Sequence, residues 1–207
     1  GVTQIQVHAE IGLDFARVLR SVVRHDPDIV MVGETRDGET ADIAVHAALT
    51  GHLLLTTLHT NNAAGAVARL LDMGIEPYLL ASVLRAVVGQ RLVGILCEHC
   101  KEPHHATPEE RCFFTEVGLA VPDPLVLYRE KGCPKCDGLG FTGRIGIFEL
   151  LEVDDRIREL IRGRAPTQAI LSQALDSGMR TMYMDGLAKC WRGTTTLEEV
   201  CRVTEDW

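Results

Sequence analysis

The chain has 207 residues, 46% of them hydrophobic and 24% charged, a balance that excludes disorder over most of its length. Twenty-one Lys and Arg stand against 29 Asp and Glu, for a formal charge of −8. No uniformly basic surface is possible, which argues against nucleic-acid binding as the main activity. Only four basic residues are lysines (Lys101, Lys131, Lys135 and Lys189), none of them in the first hundred positions.

Residues 1–10 show neither the basic start nor the apolar stretch of a signal peptide. Ile5 and Val7 alternate with Gln4, Gln6 and His8, a short strand pattern. Phe15, Val18, Leu19, Val22 and Val23 follow the spacing of a helix buried on one side, which must end at Asp26-Pro27. Ile29 to Val32 is a wholly apolar run that predicts a strand buried on both faces. Asp37 to Thr50 reads as a helix stopped by Gly51, and His52 to Leu58 as a second buried strand. Asn61 or Asn62 caps the next helix, which stops at Gly74. Strands alternating with helices imply an α/β fold with a parallel sheet covered on both faces.

The apolar window from Leu79 to Leu96 is interrupted by Arg85, Gln90 and Arg91. Its spacing predicts a buried amphipathic helix rather than a membrane span. From Cys97 to Gly143, Cys, Pro, Gly and His crowd the chain and periodicity weakens, the composition of a small module held by something other than a core. Arg144 to Val153 reads as a strand, and Asp154 to Trp207 as several short helices. Thr196 and Glu199 form a capping-box signature before the last of these. These shifts divide the chain into 1–94, 95–143 and 144–207.

Seven cysteines are an odd number, and four of them form two hooks, Cys97-Glu-His-Cys100 and Cys133-Pro-Lys-Cys136. Each hook sets two thiolates on one side of a tight turn, and together they complete a tetrahedral shell for a structural Zn²⁺. Gly138 and Gly140 leave the backbone free to aim N–H groups at the sulfurs. This usage fits a reducing compartment, the cytoplasm, better than disulfides do. His99, His104, His105 and Cys112 lie nearby and read as surface or loop residues.

The strand ending Val32-Gly33-Glu34 presents a carboxylate where nucleotide-hydrolysing α/β folds place an acid beside Mg²⁺ or the attacking water. Alone this is a weak signal, since many parallel strands end in an acid. Arg17, Arg20 and Arg24 form one stripe opposite the apolar side of the preceding helix, a face suited to phosphate or simply to solvent. The second strand runs into His59, with Thr60 and Asn61 adding polar groups at a helix start, where anions are welcome. The nearest approach to a phosphate-cradling loop, Gly33 to Thr40, puts Glu39 where a lysine is needed and is a decoy.

Together these residues resemble the hexameric ATPases that drive type II secretion and type IV pilus assembly. Phe15 to Asp37 is similar to that family's Walker B region, Leu49 to Asn61 to its histidine box, and Gln90-Arg91-Leu92 with the four cysteines to its metal-bearing subdomain. The family's retraction members lack the four cysteines, which points to the secretion or assembly branch. The resemblance implies a RecA-like core, a zinc subdomain and a helical C-terminal subdomain. It also implies that the ATP-cradling loop and an acidic box precede Gly1, making this a C-terminal fragment that is inactive by itself, the ATPase activity belonging to the full-length parent. In the parent, ATP and Mg²⁺ would be served by Glu34 orienting water, His59 sensing the γ-phosphate and the arginines clamping charge. Implied partners are five further copies in a ring and the platform and adaptor proteins of an inner-membrane machine. Two positions depart from the pattern: Thr35 replaces an aliphatic residue, and Gly89 stands where alanine is expected before Gln90. A rival reading, a non-enzymatic zinc-stabilised interaction module, leaves the acid and histidine at the strand ends unexplained.

Overall fold

The structure is a computed structural model, and it describes residues 1–204. In chain order its first elements are α1 (Phe15–Val22), β1 (Ile29–Val32), α2 (Gly38–Leu49), β2 (Leu53–Thr56), α3 (Ala63–Asp72) and α4 (Pro77–Val83). They are followed by β3 (Ala86–Leu96), β4 (Glu102–His105), α5 (Pro108–Glu116), β5 (Val126–Arg129) and β6 (Phe141–Glu152). The last helices are α6 (Asp155–Arg162), α7 (Thr167–Asp176), α8 (Met182–Trp191) and α9 (Leu197–Thr204). The chain forms two compact units, one of Gly1–Val87 with Leu151–Gly178, the other of Val88–Leu150 with the described residues from Met179 onward. These packing boundaries differ from the compositional ones at 94 and 143. Among the described residues no helix is long and apolar enough to cross a membrane.

In the first unit β1 and β2 pair in parallel, Ile29 opposite Leu53 through Val32 opposite Thr56. Leu19 of α1 packs with Val30, Val32 and Ala44, and Phe15, Val22 and Val23 close around them. Asp14 caps α1 by accepting the Arg17 N–H at 2.8 Å. Asp26, in the left-handed region at φ 52°, turns the chain out of the helix before Pro27. Asp37 caps α2 through the N–H and hydroxyl of Thr40, and Asn62, not Asn61, caps α3 through the Gly65 N–H. α6 packs on α4 and on α7, which also meets α3, and Ile157, Ile161 and Ile170 are buried there.

Three expectations fail over residues 1–96. The segment around Ile5 forms no strand; the only pairing described there is a bridge between His8 and Leu13, and Ile5 is exposed. Neither central strand is buried on both faces: Val30 and Val32 are buried, but Ile29 and Met31 are 62% and 71% exposed, as are Leu53 and Leu55 at about half. An apolar run sets which residues can be buried, whereas coverage needs elements on both sides, and here one face is bare. The window from Leu79 to Leu96 is not one helix either. α4 ends at Val83, Leu84 turns extended, and β3 follows. Helical spacing over Leu79 to Val88 is overridden because the β-branched valines and Gly89 gain a partner strand in β6.

In the second unit β4 pairs antiparallel with β5, Glu102 opposite Arg129 and His105 opposite Val126. The 95–143 segment contains a helix that weak periodicity concealed. α5 opens with a complete capping box, Thr107 with Glu110, and buries Phe114 against Leu125, Leu127, Leu187, Cys190, Leu197 and Val200. The segment therefore does share an apolar core, completed by the final two helices. Outer strand N–H groups are covered by side chains: Gly94 donates to Glu199 at 2.6 Å and Phe148 to Asp185 at 2.9 Å. Glu199 thus completes only half of the expected capping box. Its own N–H reaches Thr196, but its carboxylate serves Gly94 and Arg202. Gly89 is explained by Glu149, which is only 2% exposed and accepts the Met182 N–H. A Cβ at position 89 would lie 2.7 Å from Glu149 Cγ, so alanine does not fit beside this carboxylate.

Candidate functional site

In the first unit, the parallel pair ends in a latched turn. Thr35 donates its N–H to Thr57 O at 3.0 Å, and the Thr57 hydroxyl donates to Gly33 O at 2.7 Å. The buried Thr35 hydroxyl meets that of Thr56 at 2.8 Å, which gives a hydrogen-bonding reason for threonine where an aliphatic residue is usual. This latch fixes Glu34 and brings His59 to it from the neighbouring strand end.

Glu34 is the most shielded member of the cluster. Its Oε1 lies 2.6 Å from His59 Nε2 and its Oε2 lies 2.6 Å from Arg36 Nη2. The Glu34 side chain is 16% exposed, whereas those of Arg36 and His59 are 74% and 85% exposed. The His59 approach is close but not aligned as a hydrogen bond, so Oε1 remains a buried acceptor available to a better-placed donor. The Arg36 guanidinium, helped by His59 and opposed by burial, holds the Glu34 carboxyl below its usual range. Glu34 in turn raises the Arg36 pKa. A carboxylate kept ionised at a strand end, flanked by a guanidinium and an imidazole, can accept a hydrogen bond from water beside an anion.

Arg36 is the residue the sequence reading missed. It lies two positions beyond the acid, outside the arginine stripe, and only the turn after β1 folds it back. The stripe itself is partly occupied. Arg20 pairs with Glu39 at the start of α2, and Arg17 donates to Gly12 O at 3.3 Å. Arg24 has no ion-pair partner among the described residues. No ion pair or hydrogen bond joins Arg17, Arg20 or Arg24 to Glu34 or His59 among the described residues. Glu39, the residue that spoils the phosphate-loop match, is thus a helix-start acid paired with a neighbouring arginine. The Thr60 hydroxyl donates to Asn62 O at 3.1 Å, holding the loop between His59 and α3, and Asn61 precedes the cap.

The second unit brings its two cysteine hooks together. Cys97 and Cys133 sulfurs lie 3.9 Å apart, Cys100 and Cys136 3.8 Å, and all four fall within 4.8 Å of one another. A tetrahedral thiolate shell with metal–sulfur bonds of about 2.3 Å has edges of about 3.8 Å, so the four residues can hold one metal ion. The backbone N–H groups of Cys133 and Gly140 both donate to Cys136 Sγ at 3.2 Å. Against the effect of burial, these donors pull the Cys136 thiol down to about 7, while burial pushes Cys100 up to about 11. The neighbours are excluded from the shell by their own contacts: His99 faces Lys135, His104 faces Glu110, and Cys112 faces Glu116.

Residues 1–202 match the family model described as type II/IV secretion system protein. The chain is 52% identical over 206 residues to the type II secretion system ATPase E of Vibrio cholerae, covering 100% of this chain and 40% of that protein. It is 50% identical over 206 residues to the type II secretion system protein E of Pseudomonas aeruginosa, again covering 100% of this chain and 40% of that one. The chain therefore spans about 40% of the length of these curated relatives. Among solved structures it is similar to the pilus retraction motor PilT with bound ADP, at a TM-score of 0.62 and 28% identity over 92% of this chain and 43% of that one. It shares its fold with the Legionella pneumophila ATPase DotB, at a TM-score of 0.65 and 21% identity over 98% of this chain and 45% of that one.

Proposed function

The chain belongs to the type II/IV secretion system protein family, and on that premise we propose that it is the C-terminal part of an ATP-hydrolysing motor powering type II protein secretion. The observation that carries this reading is the Glu34–Arg36–His59 cluster on the turn that joins two parallel strand ends. Glu34 orients the attacking water, His59 adjusts the γ-phosphate, and Arg36 with Arg17, Arg20 and Arg24 supplies compensating charge. Thr60 and Asn61 position the loop that presents His59. ATP with Mg²⁺ supplies the phosphoryl group that this chemistry acts on; no lysine in residues 1–100 can serve as the phosphate-cradling one. We place the cradling loop in a preceding part of the parent protein. The bare apolar face formed by Ile29, Met31, Leu53 and Leu55 supports this, because a parallel pair needs cover on both faces.

Cys97, Cys100, Cys133 and Cys136 hold a structural Zn²⁺, their fourfold sulfur set leaving no open position for a substrate. The compositional pieces correspond to function: 1–94 as RecA-like core, 95–143 as zinc subdomain and 144–207 as helical subdomain. The parent acts in the cytoplasm as a homo-hexamer against platform and adaptor proteins of the inner membrane. The test is Glu34→Gln in the full-length parent. ATP binding is retained while turnover falls about a hundredfold or more. Unchanged turnover would make this carboxylate ordinary surface and overturn the assignment.

A further inference from the structure

Within the second unit lies a groove of about 510 Å³ that neither the hydrolytic reading nor the metal site uses. Three apolar side chains line it: Leu92 of β3, 46% exposed, Leu139, on the knuckle after Cys136, 71% exposed, and Phe141 at the start of β6. Gly143, also on the lining, has φ 102° and nothing within 4 Å of an added Cβ, so the groove is open on that side. Apolar side chains as exposed as Leu92 and Leu139 gain free energy when a partner covers them.

The rim decides which partner. Glu199 faces the groove, but its two oxygens are taken up by the Arg202 guanidinium at 2.9 Å each and by the Gly94 N–H. Arg144 lies on the same rim, is exposed, and makes no ion pair or hydrogen bond among the described residues. Two arginines and one glutamate leave the rim with one positive charge, on a chain whose formal charge is −8. An uncommitted guanidinium beside open apolar surface recognises a carboxylate carried next to a large apolar side chain. We propose that this groove is a docking site for an acidic, apolar peptide segment of a partner protein. Leu92, Leu139 and Phe141 would receive the apolar side chain and Arg144 would pair with the carboxylate. The proposal does not depend on ATP hydrolysis.

The test is calorimetric titration of the metal-loaded 207-residue chain with the blocked peptide Gly-Asp-Leu-Phe-Glu-Gly at low salt. Two control peptides replace Asp and Glu by Asn and Gln, or Leu and Phe by Ser. The acidic apolar peptide is expected to bind, and each control to bind about fivefold more weakly or worse. Arg144→Glu and Leu139→Ser each weaken binding by a similar factor. Both side chains face solvent, and unchanged metal content checks that the fold survives. Equal binding of the Asn/Gln control, or no effect of Arg144→Glu, would overturn the proposal. So would self-association in sedimentation that Leu139→Ser abolishes while the peptide is ignored, which would assign the groove to a second copy. Capture by phosphatidylglycerol vesicles with the same residue dependence, again without peptide binding, would assign it to a membrane and overturn the proposal equally.

Discussion

Gly186→Ala sets two known effects against each other inside α8. Glycine within a helix costs about 1 kcal/mol relative to alanine, so propensity alone predicts that the substitution stabilises. The packing predicts the opposite. A Cβ at position 186 would lie 2.6 Å from Val200 Cγ1 and 3.0 Å from its Cγ2. Comfortable carbon contacts are about 3.5–4.0 Å, so Val200 must retreat by about 1 Å. It has little freedom to do so, because a β-branched side chain in a helix is nearly fixed at χ1. Val200 is also fully buried among Leu187, Cys190 and Leu197. Overpacking of this kind costs about 1–3 kcal/mol, enough to cancel the propensity gain and leave a net loss of up to about 2 kcal/mol. Urea unfolding followed by Trp191 fluorescence reads this unit directly, since Trp191 closes the same helix. Val200→Ala alone destabilises by about 2 kcal/mol through the lost methyls and the cavity they leave. In the double variant the new methyl occupies that space, and the pair should couple favourably by about 1 kcal/mol or more. A Gly186→Ala variant more stable than the parent by about 1 kcal/mol, additive with Val200→Ala, would refute the close approach of α8 and α9.

Elemental analysis should find one Zn²⁺ per chain, lost in Cys136→Ser and retained in Cys112→Ser; a zinc content well below one would remove the metal from the account. The 207-residue chain alone should bind ATP weakly and show no appreciable turnover; turnover that Glu34→Gln abolishes would mean that the site is complete without any preceding segment. Asp154 caps α6 through the Ile157 N–H at 2.8 Å, and that bond holds its carboxyl below the usual range, with a smaller contribution from Ser177. A lowered folded-state pKa stabilises above the ordinary carboxylate value of about 4 and loses that contribution as pH falls through the lowered value. Asp154→Asn should keep the cap while flattening this acid dependence, and Asp154→Ala should cost about 1 kcal/mol at neutral pH. An Asp154→Asn variant with undiminished loss of stability on acidification would assign that loss to other carboxylates.

The sequence by itself determined the local chemistry. Two C-x₂-C hooks need only their spacing to announce a four-sulfur cluster, and Cys97, Cys100, Cys133 and Cys136 do converge. Glu34 and His59 were legible because each ends an apolar run, and parallel pairing of those runs brings their ends together. The cap of α3 was readable only as Asn61 or Asn62, and the Gly65 N–H selects Asn62. What only the tertiary structure decided depends on partners distant in sequence. Whether Ala86 to Leu96 is helix or strand is settled by β6, some fifty residues on, because a local period cannot outweigh a ladder of hydrogen bonds. The helix of Pro108 to Glu116 escaped notice because its one fully buried side chain, Phe114, meets a core completed by α8 and α9. Arg36 carries no spacing signal at all; only the turn after β1 folds it onto Glu34. Burial of one face of β1 and β2 rather than two was beyond the sequence for the same reason: hydrophobicity states what should be covered, and only the assembled layers determine what is.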